Sequence, residues 1–175
     1  MLTRRNILSR ALVVGLVGFL HPRVLHAQSQ KEPQKKHKEE ALKKALAESD
    51  LVYLTPLRSD GSESRCQAEI WFTYDGADLF VVTASDAWRA DAVRRGLADA
   101  RIWVGDLGNW KRTEGRYRQF PAVETRASFV DDGETQKTVL DLFGDKYPLS
   151  WIRWGPKFRN GLADGSRVML RYQPT

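Results

Sequence analysis

The fold is decided by residues 65–84, whose sequence is RCQAEIWFTYDGADLFVVTA. Aromatic and β-branched residues recur in both halves of this stretch, and Asp75-Gly76 between them is typical of a hairpin turn. The stretch therefore predicts two antiparallel strands, residues 65–74 and 79–84. An antiparallel hairpin at this point favours a sheet built of hairpins over a parallel βαβ arrangement.

A helix follows the hairpin over residues 86–95. Ser85 is a suitable N-cap, Gly96 is a typical helix stop, and Ala90, Val93 and Leu97 share one apolar face. Elsewhere the pattern predicts helices over 36–49 and 134–143, strands over 51–57, 101–105, 115–130 (with a break near residue 121) and 167–172, and an irregular aromatic segment over 151–158. We therefore predict an α+β fold, a split antiparallel β-barrel with inserted helices and an N-terminal capping helix.

The first 27 residues have the pattern of an export signal. Arg4-Arg5 precedes Ile7-Leu8 and an apolar run over residues 11–20, and Ala27 ends the segment. The run is shorter than the ~20 residues that a membrane-spanning helix needs. Paired arginines in this setting predict the twin-arginine export machinery as a partner, a periplasmic or extracellular location, and no stable membrane anchor after cleavage. An ordinary Sec signal or an uncleaved anchor is the alternative.

Residues 28–50 differ in composition from the domain that follows. All six of their basic residues are lysines, whereas residues 51–175 contain 14 arginines and four lysines. The polar residues 28–38 predict a linker, and Ala41, Leu42, Ala45 and Leu46 form the stripe of a short amphipathic helix. The chain thus divides into a signal (1–27), a linker with a helix (28–50) and one domain (51–175).

Histidine and cysteine are scarce, which excludes several kinds of chemistry. The histidines stand at positions 21, 26 and 37, and Cys66 is the only cysteine. From residue 38 onward this excludes a histidine-dependent nucleophile, a histidine base and a zinc site of Cys/His type. No catalytic residue stands out, because spacing gives neither Glu69 nor Glu124 a partner. Without the four arginines of the signal, 24 basic residues face 22 acidic ones, which argues against nucleic-acid binding.

The element order resembles the pyridoxamine 5′-phosphate oxidase-like split β-barrels, which include flavin- and deazaflavin-dependent oxidoreductases. The resemblance is carried by residues 68–72, Asp75-Gly76, residues 79–84, Ser85, Trp88-Arg89 and residues 101–106. It covers most of residues 51–172 and is clearest over residues 65–106. It implies a homodimer that binds FMN, or alternatively a deazaflavin coenzyme, at the subunit interface.

The resemblance also implies which residues hold the phosphate of the cofactor. In this family a Thr or Ser at the end of the third strand and a base early in the next helix commonly do so, and these positions match Thr83, Ser85 and Arg89. The family often has lysine where this chain has Arg89, whose planar fork binds a phosphate in a different geometry. A strand-to-helix junction independently favours an anion through its free N–H groups. Alternatively, Ser85 only caps the helix, and Arg89 pairs with Asp86 or with another acid on the solvent side.

Three further side chains and one segment are candidates for the same site. Trp88 lies on the side of its helix away from the apolar face, which fits a subunit contact or a ligand wall; packing onto a neighbouring strand is the alternative. Arg65, where some relatives place a cofactor-contacting base, and Trp71 complete the candidate cofactor-binding residues, although an exposed edge charge also explains Arg65. Trp151 and Trp154 are candidates for a mobile wall over a planar ring, although core packing is the commoner use of tryptophan.

The sequence favours an exported oxidoreductase that binds FMN or a deazaflavin coenzyme and transfers hydride to an unidentified small molecule. The cofactor would carry the chemistry while the protein binds and orients it, which suits a domain without histidine. The alternative is a noncatalytic split-barrel module of the cell envelope that binds a flavin or another ligand.

Overall fold

Seven strands and four α-helices make up the described part of the chain. The computed structural model describes the backbone of residues 23–175 and the side chains from residue 34 onward. In chain order the elements are α1 (Arg23–Glu48), β1 (Leu51–Pro56), β2 (Ala68–Trp71), β3 (Thr73–Tyr74), β4 (Leu79–Ala84), α2 (Trp88–Arg94), β5 (Asp99–Val104), β6 (Ala122–Phe129), α3 (Gly133–Lys146), α4 (Pro148–Ala163) and β7 (Arg167–Pro174). Two short 3-10 turns, Trp110–Thr113 and Arg116–Gln119, connect β5 to β6. Residues 36–175 form a unit of their own.

The strands form one antiparallel sheet that curls into a nearly closed barrel. Their order is β2-β1-β5-β6-β7-β4-β3. The two edge strands, β2 and β3, are consecutive in the sequence and are separated only by Phe72. The chain itself therefore brings the two edges of the sheet together, and the predicted α+β split barrel is confirmed.

Side chains alternate between the barrel interior and its outer face. The cross-strand neighbours Val81 and Leu170 point inward, whereas Val82 and Met169, one residue along each strand, point outward against the α3–α4 layer. β1 and β5 complete the interior with Val52, Leu54, Ile102 and Val104. Helices α3 and α4 thus cover an apolar outer face of β4 and β7.

Helix α4 replaces the irregular aromatic segment that the sequence predicts. Pro148 lies in its first turn, where a missing N–H costs no hydrogen bond. Trp151, Trp154 and Phe158 recur at intervals of three and four residues, which places them on neighbouring turns. The prediction is wrong because it treats Gly155-Pro156 as a helix breaker. A Cβ at Gly155 would lie 2.9 Å from the Trp151 indole, so this glycine makes room for the ring.

Three other boundaries differ from the predictions. α1 begins at Arg23, so the backbone of residues 28–38 is helical and does not form a linker. The single strand predicted over residues 65–74 is broken at Phe72 into β2 and β3. The strand predicted from residue 115 begins only at Ala122, after the second 3-10 turn.

The predicted export signal lies almost entirely outside the described residues, which include neither Arg4-Arg5 nor the apolar run after it. Among residues 23–175, none of the helices combines the length and the apolar character that crossing a bilayer requires.

The Tyr147 hydroxyl connects the sheet to the helices at the Phe72 break. Tyr147 lies between α3 and α4, and its hydroxyl oxygen accepts a hydrogen bond from the Phe72 N–H at 3.2 Å. The same hydroxyl lies 2.8 Å from the Phe72 carbonyl and 2.8 Å from the Asp50 carbonyl, either of which accepts its proton. One side chain therefore satisfies the peptide groups that the interrupted strand leaves without partners. Burial raises the pKa of the Tyr147 phenol, so the hydroxyl keeps the proton that it donates.

Lys146 lies beside this junction with its ammonium over the Phe72 ring. Its Nζ is 3.3 Å from the ring centroid, is buried, and has no hydrogen-bond partner among the described residues. Burial lowers the pKa of Lys146 to about 8, while the carboxylates of Asp50 and Asp106 act in the opposite direction. An aromatic face thus takes the place of a counter-ion at the break in the sheet.

We expect Tyr147→Phe to destabilise the fold by about 1–3 kcal/mol, because it leaves buried peptide groups at Phe72 without a partner. Tyr74→Phe is the matched control, since its hydroxyl bonds the Gly76 carbonyl at an exposed turn, and such a surface change stays within about 0.5 kcal/mol. Chemical denaturation of both variants measures the difference. Equal stabilities for the two variants would show that the Tyr147 hydroxyl does not hold the break.

Candidate functional site

An open cleft lies on the outer face of the barrel between β2, β4 and α4. Its volume is about 390 Å³, within the range of small-molecule sites. Strands supply its floor and α4 supplies one wall, so the cleft depends on the helical layer that the Tyr147 junction fixes. The side chains that line it include Leu51, Glu69, Trp71, Trp154, Phe158 and Arg167.

Three aromatic rings, those of Trp71, Trp154 and Phe158, line the cleft, and their packing holds them in place. The Trp71 ring is stacked on the Tyr147 ring, with centroids 4.7 Å apart and an interplanar angle of 9°. Trp154 meets Trp71 edge-on at 6.1 Å and meets Phe158 at 6.3 Å. Tyr147 is itself held in place by its hydrogen bonds at the Phe72 break. Its stacked ring therefore restricts the movement of the Trp71 ring. The cleft therefore presents preformed aromatic surface to a planar ligand.

Arg167 is the cation of the cleft. It stands at the start of β7, and its guanidinium lies 5.2 Å from the centroid of the Phe158 ring. A Cβ at Gly161 would come within 2.7 Å of the Arg167 side chain, so this glycine lets the arginine pass along α4. Arg167 forms no ion pair with any residue that the structure describes. Its charge is therefore available to an anionic group in the cleft.

Glu69 is the carboxylate of the cleft, and it is already engaged. Its two oxygens accept hydrogen bonds from the Asn109 side chain at 2.9 Å and from the Trp110 N–H at 3.1 Å. This anchors the connection between β5 and β6 to β2. Among the described residues, no group of three His, Cys, Asp or Glu side chains lies together as a metal site.

A second cluster of candidate residues lies at one end of the barrel interior. The Arg89 guanidinium donates a hydrogen bond to the Thr83 hydroxyl and lies 5.0 Å from the Trp88 ring centroid. Its Nε is buried and has no partner in the described part of the chain. Burial lowers the pKa of Arg89, while the nearby Tyr172 and Glu69 raise it. This is a desolvated cation with no carboxylate in contact.

The structure brings together only some of the predicted cofactor-binding residues. Thr83, Trp88 and Arg89 meet at the barrel end, with Ser85 close in sequence; the Ser85 N–H bonds the Ser166 carbonyl and its own carbonyl accepts from Arg94. Trp71 lies in the cleft, on the opposite face of the sheet. Arg65 is exposed in the segment before β2.

Two local predictions at the barrel end are wrong. The N-cap of α2 is Ala87 and not Ser85, and no side chain caps that helix end. Trp88 is not exposed on an outer face, because it packs against the barrel interior from the helix that closes its end. Leu97, predicted for the buried face of the helix, is 45% exposed.

Arg167 and Phe158 are cleft residues that the sequence analysis does not identify. The sequence predicts Trp154 as a wall residue in a mobile segment, whereas in the structure it lies on helix α4. Alternation along the last strand places Arg167, Met169 and Arg171 on one face. The two arginines on this strand face, on either side of Met169, are the feature of the sequence that could have indicated a polar site.

Fold and cleft together define a split-barrel protein with an aromatic cleft on the outer barrel face. HutZ, the heme storage protein of Vibrio cholerae, is similar at 19% identity over 78% of this chain and 89% of HutZ, with a TM-score of 0.54. A candidate 5-nitroimidazole antibiotic resistance protein from Bacteroides thetaiotaomicron is similar at 13% identity, over 80% of this chain and 79% of that one, with a TM-score of 0.51.

A candidate pyridoxamine 5′-phosphate oxidase from Listeria innocua shares 15% identity over 78% of this chain and 92% of its own, with a TM-score of 0.49. No protein-family model matches the sequence, and no curated protein sequence matches it significantly. These structural likenesses, all below 25% identity, show the fold alone, so the resemblance is confirmed at the level of the split barrel.

Proposed function

We propose that this chain binds FMN, or a deazaflavin coenzyme, in the outer cleft and acts as an exported oxidoreductase on a small molecule. The observation that carries the proposal is the combination of packed aromatic rings with Arg167, which pairs with no described carboxylate, in a cleft of about 390 Å³. Trp71 and Trp154 suit the apolar faces of a fused ring system. Arg167 suits a terminal phosphate, which it can bind with two N–H groups.

The residues present fit such a group in charge and shape. A bound flavin or deazaflavin would supply the hydride chemistry, which side chains alone do not provide. Trp71, held by Tyr147, would orient the ring system, and Trp154 on α4 would shield it from water. Structural neighbours whose names refer to heme storage and to antibiotic resistance share the barrel, so the fold by itself does not choose the ligand.

The alternative function is a noncatalytic flavin- or ligand-binding module. The observation that favours it is the state of Glu69, whose two oxygens are both engaged by the neighbouring loop. No other carboxylate is among the described residues that line the cleft. A carrier needs no proton donor at the ring, whereas an oxidoreductase would take its proton from the substrate or from solvent.

Arg167→Met should raise the dissociation constant for FMN about ten- to hundredfold, because a charge-assisted hydrogen bond to phosphate is worth about 1.5–3 kcal/mol. Binding of riboflavin, which has no phosphate, should be unchanged in the same variant. Arg153→Met on the exposed side of α4 is the matched control and should bind both ligands normally. Fluorescence titration of all four combinations gives the constants.

The same titration decides between Arg167 and the barrel-end set of Thr83, Ser85 and Arg89. If Arg89→Met weakens FMN but not riboflavin, and Arg167→Met changes neither, the phosphate lies at the barrel end and the assignment to the cleft is wrong. If the wild-type chain binds neither these flavins nor a deazaflavin coenzyme, the proposed function fails. Reduced nicotinamide added to flavin-loaded protein should bleach the flavin absorption of an oxidoreductase and leave that of a carrier unchanged.

Export through the twin-arginine pathway should depend on Arg4 and Arg5. Replacing both with lysine keeps the charge but removes the guanidinium forks, so we expect precursor to accumulate in the cytoplasm. Fractionation and immunoblotting measure the distribution, and Arg10→Lys is the control outside the pair. Unchanged export of the double variant would assign the segment to the Sec pathway.

We also propose that the chain forms a homodimer through α4. Trp88 no longer supports this, but Leu149 and Ile152 are 85% and 79% exposed on the helix that walls the cleft. They lie three residues apart on α4 and so form one exposed apolar pair, and contiguous apolar surface of this kind marks interaction sites. Light scattering of the full chain should give twice the 20.0 kDa of a monomer. Leu149→Glu with Ile152→Glu should give the monomer mass, whereas Leu97→Glu should not; a monomeric wild-type chain contradicts the proposal.

A further inference from the structure

The connection between β5 and β6 forms a rigid, cationic surface, here called the 107–118 lobe after its residues. Its sequence is LGNWKRTEGRYR, with four basic residues and one acidic residue. The chain after the signal has only two more basic than acidic residues over 148 positions. The lobe alone therefore carries a larger net charge than the whole remainder of that chain.

Carboxylates and phenols on the barrel hold the lobe at several points. The Tyr53 hydroxyl accepts from the Leu107 N–H and donates to the Gly108 carbonyl, both at 2.8 Å. Glu69 accepts from Asn109 and Trp110, as described above. The Tyr117 hydroxyl donates to the Gln67 side chain at 2.8 Å, and Arg118 pairs with Glu63 at 3.0 Å. The lobe is therefore preorganised.

The acids beside the lobe are engaged by the rest of the domain, and within the lobe the exposed cations accompany one exposed acid, Glu114. Glu63 is paired with Arg101 and Arg118, while Asp106 accepts from the backbone N–H groups of Asp50 and Leu51. Three cations, Lys111, Arg112 and Arg116, are exposed and form no ion pair with a described residue. Against the single exposed carboxylate of Glu114, they leave the exposed part of the lobe with a net positive charge.

Apolar surface lies among these cations. Leu107 is 38% exposed, and Trp110 is half-buried beneath the Lys111 ammonium, whose Nζ is 5.8 Å from the indole centroid. Trp beside Lys and Arg is the composition of protein surfaces that lie at the headgroup level of a bilayer. A nucleic acid is a poorer match for this surface, because an exposed leucine gains nothing from contact with a phosphodiester backbone. A second copy of the lobe is also a poor match, because the two positive charges would repel each other.

We propose that the 107–118 lobe is a docking surface for an anionic phospholipid bilayer, which the folded domain contacts peripherally and reversibly. Lys111, Arg112 and Arg116 supply the attraction to headgroup phosphates, and Leu107 and Trp110 reach the boundary with the acyl chains. The contact is independent of the ligand in the cleft. It requires no spanning helix and is weakened by salt, because exposed charges are screened.

Co-sedimentation of the full chain with phosphatidylglycerol vesicles tests the proposal. Each cation near an anionic surface changes the partition coefficient about fivefold, so Lys111→Gln, Arg112→Gln and Arg116→Gln together should lower it roughly a hundredfold. The matched control removes the same charge from α4 through Arg153→Gln, Lys157→Gln and Arg159→Gln and should retain at least a tenth of wild-type binding. Phosphatidylcholine vesicles should bind the wild-type chain weakly.

A site-specific probe keeps the test independent of the N-terminal apolar run. In a Cys66→Ser background, Glu114→Cys carries an environment-sensitive dye in the lobe, and Ser59→Cys carries it in a turn outside the lobe. Anionic vesicles should shift the emission of the first dye to the blue and not that of the second.

Absence of that shift, or equal binding by the lobe and α4 triple variants, would overturn the proposal. Lobe-dependent binding of duplex DNA with equal strength would assign the lobe to polyanions in general and would also overturn it.

Discussion

The architecture depends on how the peptide groups of Phe72 are satisfied. β2 and β3 lie at opposite ends of the strand order but follow one another in the chain, so Phe72 must cross from one edge of the sheet to the other. A residue that leaves both ladders exposes an N–H and a carbonyl inside the protein, which is costly unless both find partners. The Tyr147 hydroxyl provides both. The Asp50 carbonyl, just before β1, lies equally close to the hydroxyl at 2.8 Å and is the other possible acceptor of its single proton.

The same side chain determines the position of the cleft. Tyr147 is held by its hydroxyl at the break, and its ring is stacked on Trp71 and lies 6.0 Å from the ring of Phe143. Tyr147 therefore contacts both the floor of the cleft and the α3–α4 layer, and it fixes the position of one relative to the other. A change in how α4 lies on the sheet would move Trp154 relative to Trp71. This coupling lets a fold with an interrupted sheet present a defined surface to a ligand.

The strands of this fold are predictable where the signal is local. β4 is predicted to the residue, since an Asp-Gly turn and a run of apolar and β-branched residues fix both of its ends. The Phe72 break is not predictable, because residues 65–74 alternate as one strand and only the distant Tyr147 makes an interruption tolerable. The α4 helix is missed for a similar reason. Gly155 is a helix breaker by propensity, and only its contact with Trp151 shows why it is retained.

The candidate site is predictable in its residue types more than in its arrangement. The helical pattern of α2 gives the angle between Trp88 and Val93 but not the direction in which the helix faces, and both residues contact the interior. Alternation places Thr83 and Trp71 on definite faces of their strands. Which face is the interior depends on the pairing of strands far apart in the sequence.

The described part of the chain buries cations against rings more than against carboxylates. Arg89 lies over Trp88, Lys146 over Phe72 and Arg171 over Phe80, and each has a buried nitrogen without a hydrogen-bond partner. A ring face compensates part of the desolvation of a cation but leaves its net charge in place. A carboxylate within contact would cancel that charge; only Arg171 comes close to one, at 3.6 Å from Asp78. At the barrel end and at the Phe72 break, the buried cations Arg89 and Lys146 are therefore packed against rings, and the carboxylates that act on them, Glu69, Asp50 and Asp106, are not in contact. Desolvation without a contacting carboxylate lowers the pKa of both Arg89 and Lys146, so these two side chains hold their protons less firmly than exposed ones.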